Sequence, residues 1–307
     1  LDSTYKKNDV TIPDSVTSIP YAAFSTCTSL TEIVIPESVT SIDNYAFSDC
    51  TGVVNLTING SCLTLSETAF SNCSSVENIT IGANLKSEID FNQFPNLKSI
   101  TVSDENTIYK VEDGVVYSKD MTRLIKCLPC LGNVTFVIPD TVTTIEDKAF
   151  KNCESLIYVE FPDSLVSIGT EAFSYTSVKH LSLPESLTTL SQNSFSDCSC
   201  LFDVYVKGNI TTCDSGAFTN SYLKTVVFKT TVDTIDYSFI NAINYSYNKD
   251  INVIFEGPNY FTYTGDDAVI DKRTITSGNY YLDNNGVLYL LNSDNTASVV
   301  YVPLNLN

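Results

Sequence analysis

The sequence predicts an α/β-type repeat solenoid, in which short and similar coils stack into one array. The first observation is a recurring phrase, Ile35-Pro36-Glu37-Ser38-Val39-Thr40-Ser41-Ile42 followed by Ala46-Phe47-Ser48-Asp49-Cys50. The second is its period of 21 to 24 residues, broken by one step of 56, between the phenylalanines that close the copies: Phe24, Phe47, Phe70, Phe94, Phe150, Phe173, Phe195, Phe218 and Phe239. A constant period of this size is typical of a solenoid.

The first half of each copy predicts a short strand. In Leu30-x-x-Ile33-x-Ile35, the two isoleucines are spaced by two residues and therefore share one face of a strand. Pro36 has no backbone N–H to donate to a ladder, so the strand is expected to end there. One coil is too thin to bury its own apolar face, and we therefore expect the coils to stack as a parallel sheet.

The second half of each copy predicts a return segment and a turn. Val39 and Ile42 bring the chain back toward the core, and Ala46-Phe47 is expected to form a helical or 3₁₀ turn that buries the ring. With 43% apolar residues and only 17% charged residues, the chain can fill a continuous core.

This pattern resembles the leucine-rich repeats of the BspA-like class. The stretches that carry the resemblance are Ile35-Pro36-Glu37-Ser38-Val39-Thr40-Ser41-Ile42, Ile138-Pro139-Asp140-Thr141-Val142-Thr143-Thr144-Ile145 and Leu183-Pro184-Glu185-Ser186-Leu187-Thr188-Thr189-Leu190. The resemblance extends over roughly residues 8–256. It implies a right-handed superhelix with a parallel β-sheet on its concave face, 3₁₀ or helical turns on the other side, and β-hairpin inserts. It also implies a surface protein that adheres to or binds host proteins.

The period and its interruptions predict four segments. Residues 1–102 form a first block of coils, and residues 133–256 form a second. Residues 103–132 form a β-hairpin insert, because Asp113-Gly114 lies between alternating apolar residues. Residues 257–307 form an irregular Tyr-rich segment with a second hairpin. The repeats run toward both ends without polar caps, so we expect a piece of a longer protein.

Two copies lack the proline, at Ile58-Asn59-Gly60 and at Val206-Lys207-Gly208. We interpret these departures as drift, because each coil of a solenoid contacts only its neighbours.

The charge balance excludes several classes of partner. The net charge is −19 and the pI is near 4.2, whereas nucleic acids and anionic membranes are bound by fields of lysine and arginine. The acidic surface is expected to serve solubility, with cationic partners or metal ions as the alternative. No apolar run approaches the length that spans a bilayer, so no membrane insertion of this segment is expected.

Half of the ten cysteines lie three residues after a repeat phenylalanine, and a fixed phase in each coil predicts a buried structural ladder: Cys27, Cys50, Cys73, Cys153 and Cys198. The spacing Cys127-Leu128-Pro129-Cys130 has no second pair to complete a zinc site, so a local disulfide or two free thiols are expected. The sequence leaves open the disulfide state of Cys62, Cys127, Cys130, Cys200 and Cys213.

The chain offers little for catalysis. His180 is the only histidine, and the chain has no Gly-x-Ser-x-Gly, P-loop or His-Glu-x-x-His motif. We therefore predict that the protein is not an enzyme and that it uses no catalytic residue, metal or cofactor.

A binding surface is predicted where the copies differ, at the exposed strand positions of coils 156–206. These residues are Ile157, Tyr158, Glu160, Lys179, His180, Phe202, Asp203 and Tyr205. We expect Tyr158, His180 and Asp203 to lie side by side on neighbouring strands, about 4.8 Å apart. Exposed aromatic rings beside mixed charges are typical of recognition hot spots. The alternative is that the rings pack on a flanking loop or on one another.

Three functional hypotheses follow. The first is an extracellular or cell-surface module that binds a protein partner, such as a host extracellular-matrix or mucosal protein, through the concave sheet. The second is a structural spacer without a ligand of its own, suggested by the small polar residues of the first coils. The third and least favoured is a hydrolase, which would need His180 in a pocket with carboxylates.

Overall fold

The computed structural model describes residues 9–128, 132, 134–229, 232, 234–244, 246, 251–255, 262–264, 278–282, 288–291 and 297–301. These residues form a β-solenoid of stacked coils with parallel strands and very little helix. The chain divides into two compact units, Leu1–Met121 (unit 1) and Thr122–Asn307 (unit 2). This division lies within the segment 103–132 that the sequence predicts as one insert.

The described part of unit 1 contains short strands and one turn of 3₁₀ helix, Phe91–Gln93. In chain order the strands are β1 (Asp9–Thr11), β2 (Ser18–Ile19), β3 (Glu32–Ile35), β4 (Ser41–Ile42), β5 (Asn55–Ile58), β6 (Thr64–Leu65), β7 (Asn78–Ile81), β8 (Ser99–Val102), β9 (Tyr109–Glu112) and β10 (Val115–Ser118).

The described part of unit 2 repeats this organisation and contains one α-helix, α1 (Tyr237–Asn244). Its strands are β11 (Arg123–Cys127), β12 (Thr135–Val137), β13 (Thr144–Ile145), β14 (Tyr158–Glu160), β15 (Ser167–Ile168), β16 (His180–Leu183), β17 (Thr189–Leu190), β18 (Asp203–Val206), β19 (Thr212–Cys213), β20 (Thr225–Phe228), β21 (Thr234–Asp236), β22 (Ile251–Phe255), β23 (Thr262–Thr264), β24 (Gly278–Leu282), β25 (Leu288–Leu291) and β26 (Ala297–Tyr301).

The first strand of each coil builds the main sheet of its unit. In unit 1 the parallel order is β1-β3-β5-β7-β8, and the register places Ile33 beside Leu56. In unit 2, β12 pairs with β14, while β16, β18, β20 and β22 form a parallel run. Along β3 and β16 exposed and buried residues alternate, because successive side chains of a strand point to opposite faces.

A second, narrower sheet runs through each unit, and the sequence pattern did not predict it. The Ser-Ile and Thr-Leu pairs that follow each return segment form two-residue strands, ordered β2-β4-β6 in unit 1. In unit 2, the corresponding strands β13, β15, β17 and β19 continue from β11. The apolar member of these pairs is buried in most coils, as for Ile42 and Ile145, so it closes the second side of the core.

The repeat phenylalanines stack in the core. The rings of Phe150 and Phe173 are 4.7 Å apart between centroids, and those of Phe173 and Phe195 are 5.1 Å apart, both nearly parallel. In unit 1, Phe24, Phe47 and Phe70 stack in the same way. Backbone hydrogen bonds join these turns from coil to coil, for example from Phe47 N to Ala69 O at 2.8 Å.

The turns around these phenylalanines are not helical in most coils, contrary to expectation. In five of the described repeats, the residue two positions before the phenylalanine and the residue two positions after it both have positive φ. These are the repeats of Phe24, Phe47, Phe150, Phe173 and Phe195. A helix cannot continue through such left-handed residues, and these segments are therefore turns. Among the described residues, helical conformation is found next to Phe94, in the 3₁₀ helix, and at Phe239, which lies in α1.

The segment after β8 contains an antiparallel strand pair. β9 and β10 pair with Val115 opposite Glu112, so two residues form the loop between them. Asp113 has φ 48° and Gly114 has φ 76°, which are the values that a type I′ hairpin turn requires. In unit 2, β24 and β25 also pair antiparallel, and the residues between them lie outside the described part of the chain.

Two glycines contradict the interpretation of the proline-free copies as drift. A Cβ at Gly208 would lie 2.2 Å from the carbonyl oxygen of Glu185, in the preceding coil. A Cβ at Gly60 would lie 2.6 Å from the carbonyl oxygen of Val39. Both contacts are with backbone, which cannot move aside easily, so these coils require glycine where other copies carry a larger residue.

Candidate binding face of unit 2

The outer face of the main sheet of unit 2 gathers the residues that the sequence singled out. Backbone hydrogen bonds hold the start of each strand to the one before it: Lys179 N to Ile157 O at 3.1 Å, and Phe202 N to Lys179 O at 2.9 Å. Lys224 N continues the row to Phe202 O at 2.8 Å. Equivalent side chains of successive coils therefore lie next to one another.

Tyr158, His180 and Asp203 form one row across β14, β16 and β18. The Tyr158 and His180 rings are 6.4 Å apart between centroids, with 16° between their planes. His180 Nδ1 lies 2.9 Å from Asp203 Oδ2. The side chains of His180 and Asp203 are 47% and 25% exposed, and Tyr158 is 44% exposed, so the row is accessible from solvent.

Two further aromatic rings on this face lie beneath lysines. Lys224 Nζ is 5.2 Å from the centre of the Phe202 ring, and Lys229 Nζ is 5.3 Å from the centre of the Tyr205 ring. Both are cation–π contacts, in which the ring face attracts the ammonium. Phe202 remains 37% exposed. The contacts therefore hold the rings while leaving a substantial part of Phe202 open.

The remaining candidate residues surround these rings. Glu160 is exposed in β14, and Ile157 and Lys179 are half-buried at the starts of their strands. The sequence reasoning missed Val134 and Val137, which flank this face beside β14 and are 50% and 61% exposed. It also missed Lys224 and Lys229. Their phase in the repeat, one residue before and one after β20, was a signal that could have identified them.

The cysteines of the proposed ladder lie at one phase of the coil. Cys50, Cys73, Cys153 and Cys198 are buried, Cys27 is half-buried, and all five are free thiols. The Sγ atoms of Cys50, Cys73 and Cys198 each donate to the carbonyl oxygen of a phenylalanine one coil earlier, at 3.1 Å. Thr176 and Ser221 occupy the same phase in their coils.

Burial raises the pKa of several thiols, Cys198 and Cys62 among them. It raises the pKa of Cys198 to about 11, and a hydrogen bond with Thr176 Oγ1 only partly offsets this. Burial also raises the pKa of Cys62 to about 11. Both groups are therefore neutral at physiological pH, which suits a structural rather than a nucleophilic role.

Cys127 lies beside the ladder of unit 2 and holds the phase of a repeat phenylalanine, because its backbone N donates to Ala149 O at 2.8 Å as Phe47 N donates to Ala69 O. It is a buried free thiol, and Cys153 Sγ lies 3.9 Å from its carbonyl oxygen. A hydrogen bond with the Cys127 side chain lowers the pKa of Cys153. Cys130 lies outside the described residues. Cys200 is a half-buried and Cys213 a buried free thiol.

The arrangement around His180 does not form a catalytic triad. Among the residues that the structure describes, no serine or cysteine side chain is hydrogen-bonded to His180, whereas triad chemistry needs a nucleophile held by the imidazole. The same part of the chain contains no cluster of three or more His, Cys, Asp or Glu side chains that could hold a metal ion. It also contains no helix that is long and apolar enough to cross a membrane.

The family of the chain follows from a comparison with known protein families. The model described as "BspA type Leucine rich repeat region" matches residues 2–120 and 129–246 in six copies. This match covers more than half of the 307 residues. The chain belongs to the BspA-type leucine-rich repeat family. That family is defined by its repeat and not by a catalytic activity.

Solved structures of bacterial leucine-rich repeat proteins resemble this BspA-type chain. A protein from Eubacterium ventriosum is 21% identical, with a TM-score of 0.55, over 74% of this chain and 68% of its own. This likeness supports the shared fold. A "leucine rich cell surface protein" from Faecalibacterium prausnitzii is 24% identical over 83% of this chain and 78% of its own, with a TM-score of 0.48. No curated protein sequence gives a significant match.

The BspA-type coils of unit 1 present a different outer face. Asn78 Nδ2 donates to Asn55 Oδ1 at 2.9 Å, and Ser99 Oγ donates to Asn78 Oδ1 at 2.7 Å. Lys98 forms an ion pair with Glu77 at 2.6 Å. These small polar groups satisfy one another along the sheet, and this row carries no aromatic ring.

Proposed function

We propose that this BspA-type chain is an extracellular or cell-surface module that binds a protein partner through the outer face of the main sheet of unit 2. Partners of this kind include host extracellular-matrix and mucosal proteins. The observation that carries the proposal is the row of half-exposed Tyr158, His180 and Asp203, with Phe202 and Tyr205 beside it.

The composition of this face supports a recognition role. Large exposed aromatic rings lose little conformational entropy on binding and dominate the energetics of protein interfaces. Tyr158 and Phe202 are both on this face and more than a third exposed. Their exposure favours a binding surface over the alternative in which the rings are covered by a flanking loop.

The rings are also held in place before any partner arrives. Tyr158 stacks on His180, which is in turn hydrogen-bonded to Asp203, and lysines lie over Phe202 and Tyr205. Side chains that are already ordered need not be immobilised on association, which saves on the order of 0.5–1.5 kcal/mol for each of them. This face is therefore suited to a stable interface.

The proposed surface location is supported by the family to which the chain belongs and by the description of one relative. The Faecalibacterium prausnitzii protein is described as a cell surface protein. Binding of extracellular partners requires such a location, so the two parts of the proposal support each other.

A spacer role is favoured for unit 1 by a separate observation. The Asn55, Asn78 and Ser99 side chains hydrogen-bond to one another across three strands. Polar groups that are already paired gain little from a partner. Unit 1 would then extend and support the chain, while unit 2 binds.

The test compares two sets of variants in a binding assay with a panel of purified extracellular-matrix glycoproteins and mucins. A triple variant, Tyr158→Ala with Phe202→Ala and Tyr205→Ala, should weaken binding at least tenfold. A matched control removes the exposed rings of unit 1, Tyr21→Ala with Tyr45→Ala, and should leave affinity within twofold. Unchanged binding by a folded triple variant would refute the proposed face. Absence of binding to the whole panel by the unmodified chain would favour the spacer.

A further inference from the structure

The outer face of unit 2 carries a charge opposite to that of the whole chain. Its strand segments 157–162, 179–184, 202–207 and 224–229 contain two carboxylates, Glu160 and Asp203. The same segments contain four lysines: Lys179, Lys207, Lys224 and Lys229. These strand segments are therefore net positive, although the chain carries a net charge of −19.

The equivalent face of unit 1 does not share this charge. Segments 31–36, 54–59, 77–82 and 98–103 contain Glu32, Glu77 and a single lysine, Lys98. That lysine is paired with Glu77 at 2.6 Å. Because the two sets of segments hold the same positions of the repeat, the positive face is specific to unit 2 and is not a general property of the coil.

The lysines border the strands, and the rings lie between them. Lys179 and Lys224 precede β16 and β20, whereas Lys207 and Lys229 follow β18 and β20. Lys224 and Lys229 are five residues apart, or about 17 Å along an extended strand. The contacts of their ammonium groups with Phe202 and Tyr205 show that both reach the face that carries the aromatic rings.

Exposed apolar side chains complete the surface. Val134 and Val137 lie on the neighbouring coil and are exposed, next to the row that contains Tyr158. A polyanionic polysaccharide would match the lysines but would leave these valines and Phe202 in contact with water. An acidic polypeptide with apolar or aromatic side chains would match both features.

We propose that the outer face of unit 2 binds an acidic polypeptide segment that carries apolar or aromatic side chains. This inference rests on the proposed function and specifies the chemistry of its partner. Lysines at both ends of the strands attract the carboxylates, while the aromatic band and the valines receive the apolar side chains. The attraction between these lysines and the carboxylates of the partner is local and weakens as salt is added.

The experiment uses the full chain and the copolymer poly(Glu,Tyr) as the probe, with poly(Lys,Tyr), poly-Glu and heparin as comparators. The test variant is Lys179→Glu with Lys224→Glu. The control is Lys98→Glu, because Lys98 holds the same repeat position before β8.

We expect the double variant to bind poly(Glu,Tyr) at least tenfold more weakly than the unmodified chain does. The affinity of the control for poly(Glu,Tyr) should stay within twofold of that of the unmodified chain. Affinity should fall between 50 and 300 mM salt, because added salt shortens the Debye length from above about 10 Å to below about 8 Å.

Several outcomes would overturn the inference. The first is that poly(Lys,Tyr) binds more strongly than poly(Glu,Tyr). The second is that heparin binds and poly(Glu,Tyr) does not. The third is that the charge-reversed double variant binds poly(Glu,Tyr) as strongly as the unmodified chain does. A second variant, Lys179→Gln with Lys224→Gln, should lose less affinity for poly(Glu,Tyr). It keeps the test informative if the charge-reversed variant does not fold. A further outcome is that the aromatic triple variant loses binding to a matrix or mucin protein that both lysine variants still bind. That result would refute this inference and leave the proposed function intact.

Discussion

His180 Nδ1 lies 2.9 Å from Asp203 Oδ2, although the two residues are 23 positions apart in the chain. They are neighbours because β16 and β18 pair in parallel with His180 directly beside Asp203. A surface in this protein is therefore built from residues one repeat apart, and its chemistry is set by whichever side chains successive coils place at one phase.

Asp203→Ala should change stability little but should weaken binding. An exposed polar contact between two side chains contributes less than about 1 kcal/mol, so the free energy of unfolding should fall by no more than that. The variant removes the carboxylate that contacts His180 and orients its ring against Tyr158. Urea denaturation and partner affinity should be measured together, with Glu77→Ala, from the exposed pair of unit 1, as the control. A loss of stability well above 1 kcal/mol would show that the pair is structural.

Phe173→Ala should destabilise unit 2 strongly. The ring is fully buried between Phe150 and Phe195, and its removal leaves a cavity that the stacked coils cannot close easily. We expect a loss of about 3–5 kcal/mol in the free energy of unfolding. Phe202→Ala is the matched control, because it removes the same ring from the exposed face. Denaturant unfolding followed by circular dichroism measures both, and equal losses would contradict the assignment of the stacked phenylalanines to the core.

Tyr175→Asn should stabilise the protein. Tyr175 is 50% exposed and has φ 60°, in the left-handed region that asparagine tolerates better than most residues. The residues at the same phase in other coils are asparagine or aspartate in several cases, among them Asn152 and Asn220. We expect a gain of up to about 1 kcal/mol, because the left-handed conformation costs most L residues roughly 1–2 kcal/mol and costs asparagine less. The reverse change, Asn152→Tyr, should lose a similar amount, and thermal melts that show no difference in either direction would refute the argument.

The buried thiols should make stability fall at alkaline pH. The pKa of Cys198 is raised from 9.0 to about 11 in the folded protein, so the folded state holds the proton more tightly than the unfolded state. Cys198 therefore contributes on the order of 2 kcal/mol to the free energy of unfolding. This contribution is fully present below pH 9 and is lost as the pH rises toward 11. Cys198→Ala should remove that part of the decline.

Tyrosines and the other thiols also ionise in this range, so the informative quantity is the difference between the unfolding curves of the unmodified chain and of Cys198→Ala. Ser199→Ala serves as the neighbouring control. Parallel curves for all three proteins between pH 8 and 11 would contradict the prediction. Alkylation at pH 8 should also leave Cys198 unmodified in the native protein, because it is fully buried and protonated.

Gly208→Ala should be strongly destabilising, although it adds only one methyl group. The added Cβ would meet the Glu185 carbonyl oxygen at 2.2 Å, so neighbouring coils would have to separate. We expect a loss of at least about 1–3 kcal/mol, the cost typical of overpacking. Gly82→Ala, where a Cβ would come no closer than 3.0 Å to any atom, is the control and should lose less. Denaturant unfolding measures both.

The periodic residues predicted much of the fold. The alternation in Glu32–Ile35 and the proline that follows it located the main strand of the coil, and the phenylalanine phase located the stacked rings. These features depend only on one repeat and its copies, so they can be predicted from the sequence. The turn conformation was not, because the left-handed residues of these turns are of several types, such as Ala22, Lys148 and Tyr175.

The candidate site was predictable only in part. The phase of the repeat placed Tyr158, His180 and Asp203 in one row, because strand register is fixed by the period. It did not reveal that lysines lie over Phe202 and Tyr205, or that Val134 and Val137 are exposed beside β14. Side-chain rotamers and exposure depend on neighbours from several coils, which a single repeat does not contain.

The sequence by itself therefore determined the repeat, the parallel stacking and the positions that face the core, since each of these depends on spacing along the chain. Only the tertiary structure decided that Cys127 takes the place of a repeat phenylalanine beside Cys153, and which coils require glycine, as at Gly208. It also separated the polar, self-paired face of unit 1 from the aromatic and positive face of unit 2. The physical reason is that close packing and charge pairing are properties of adjacent coils, and adjacency arises only when the chain is folded.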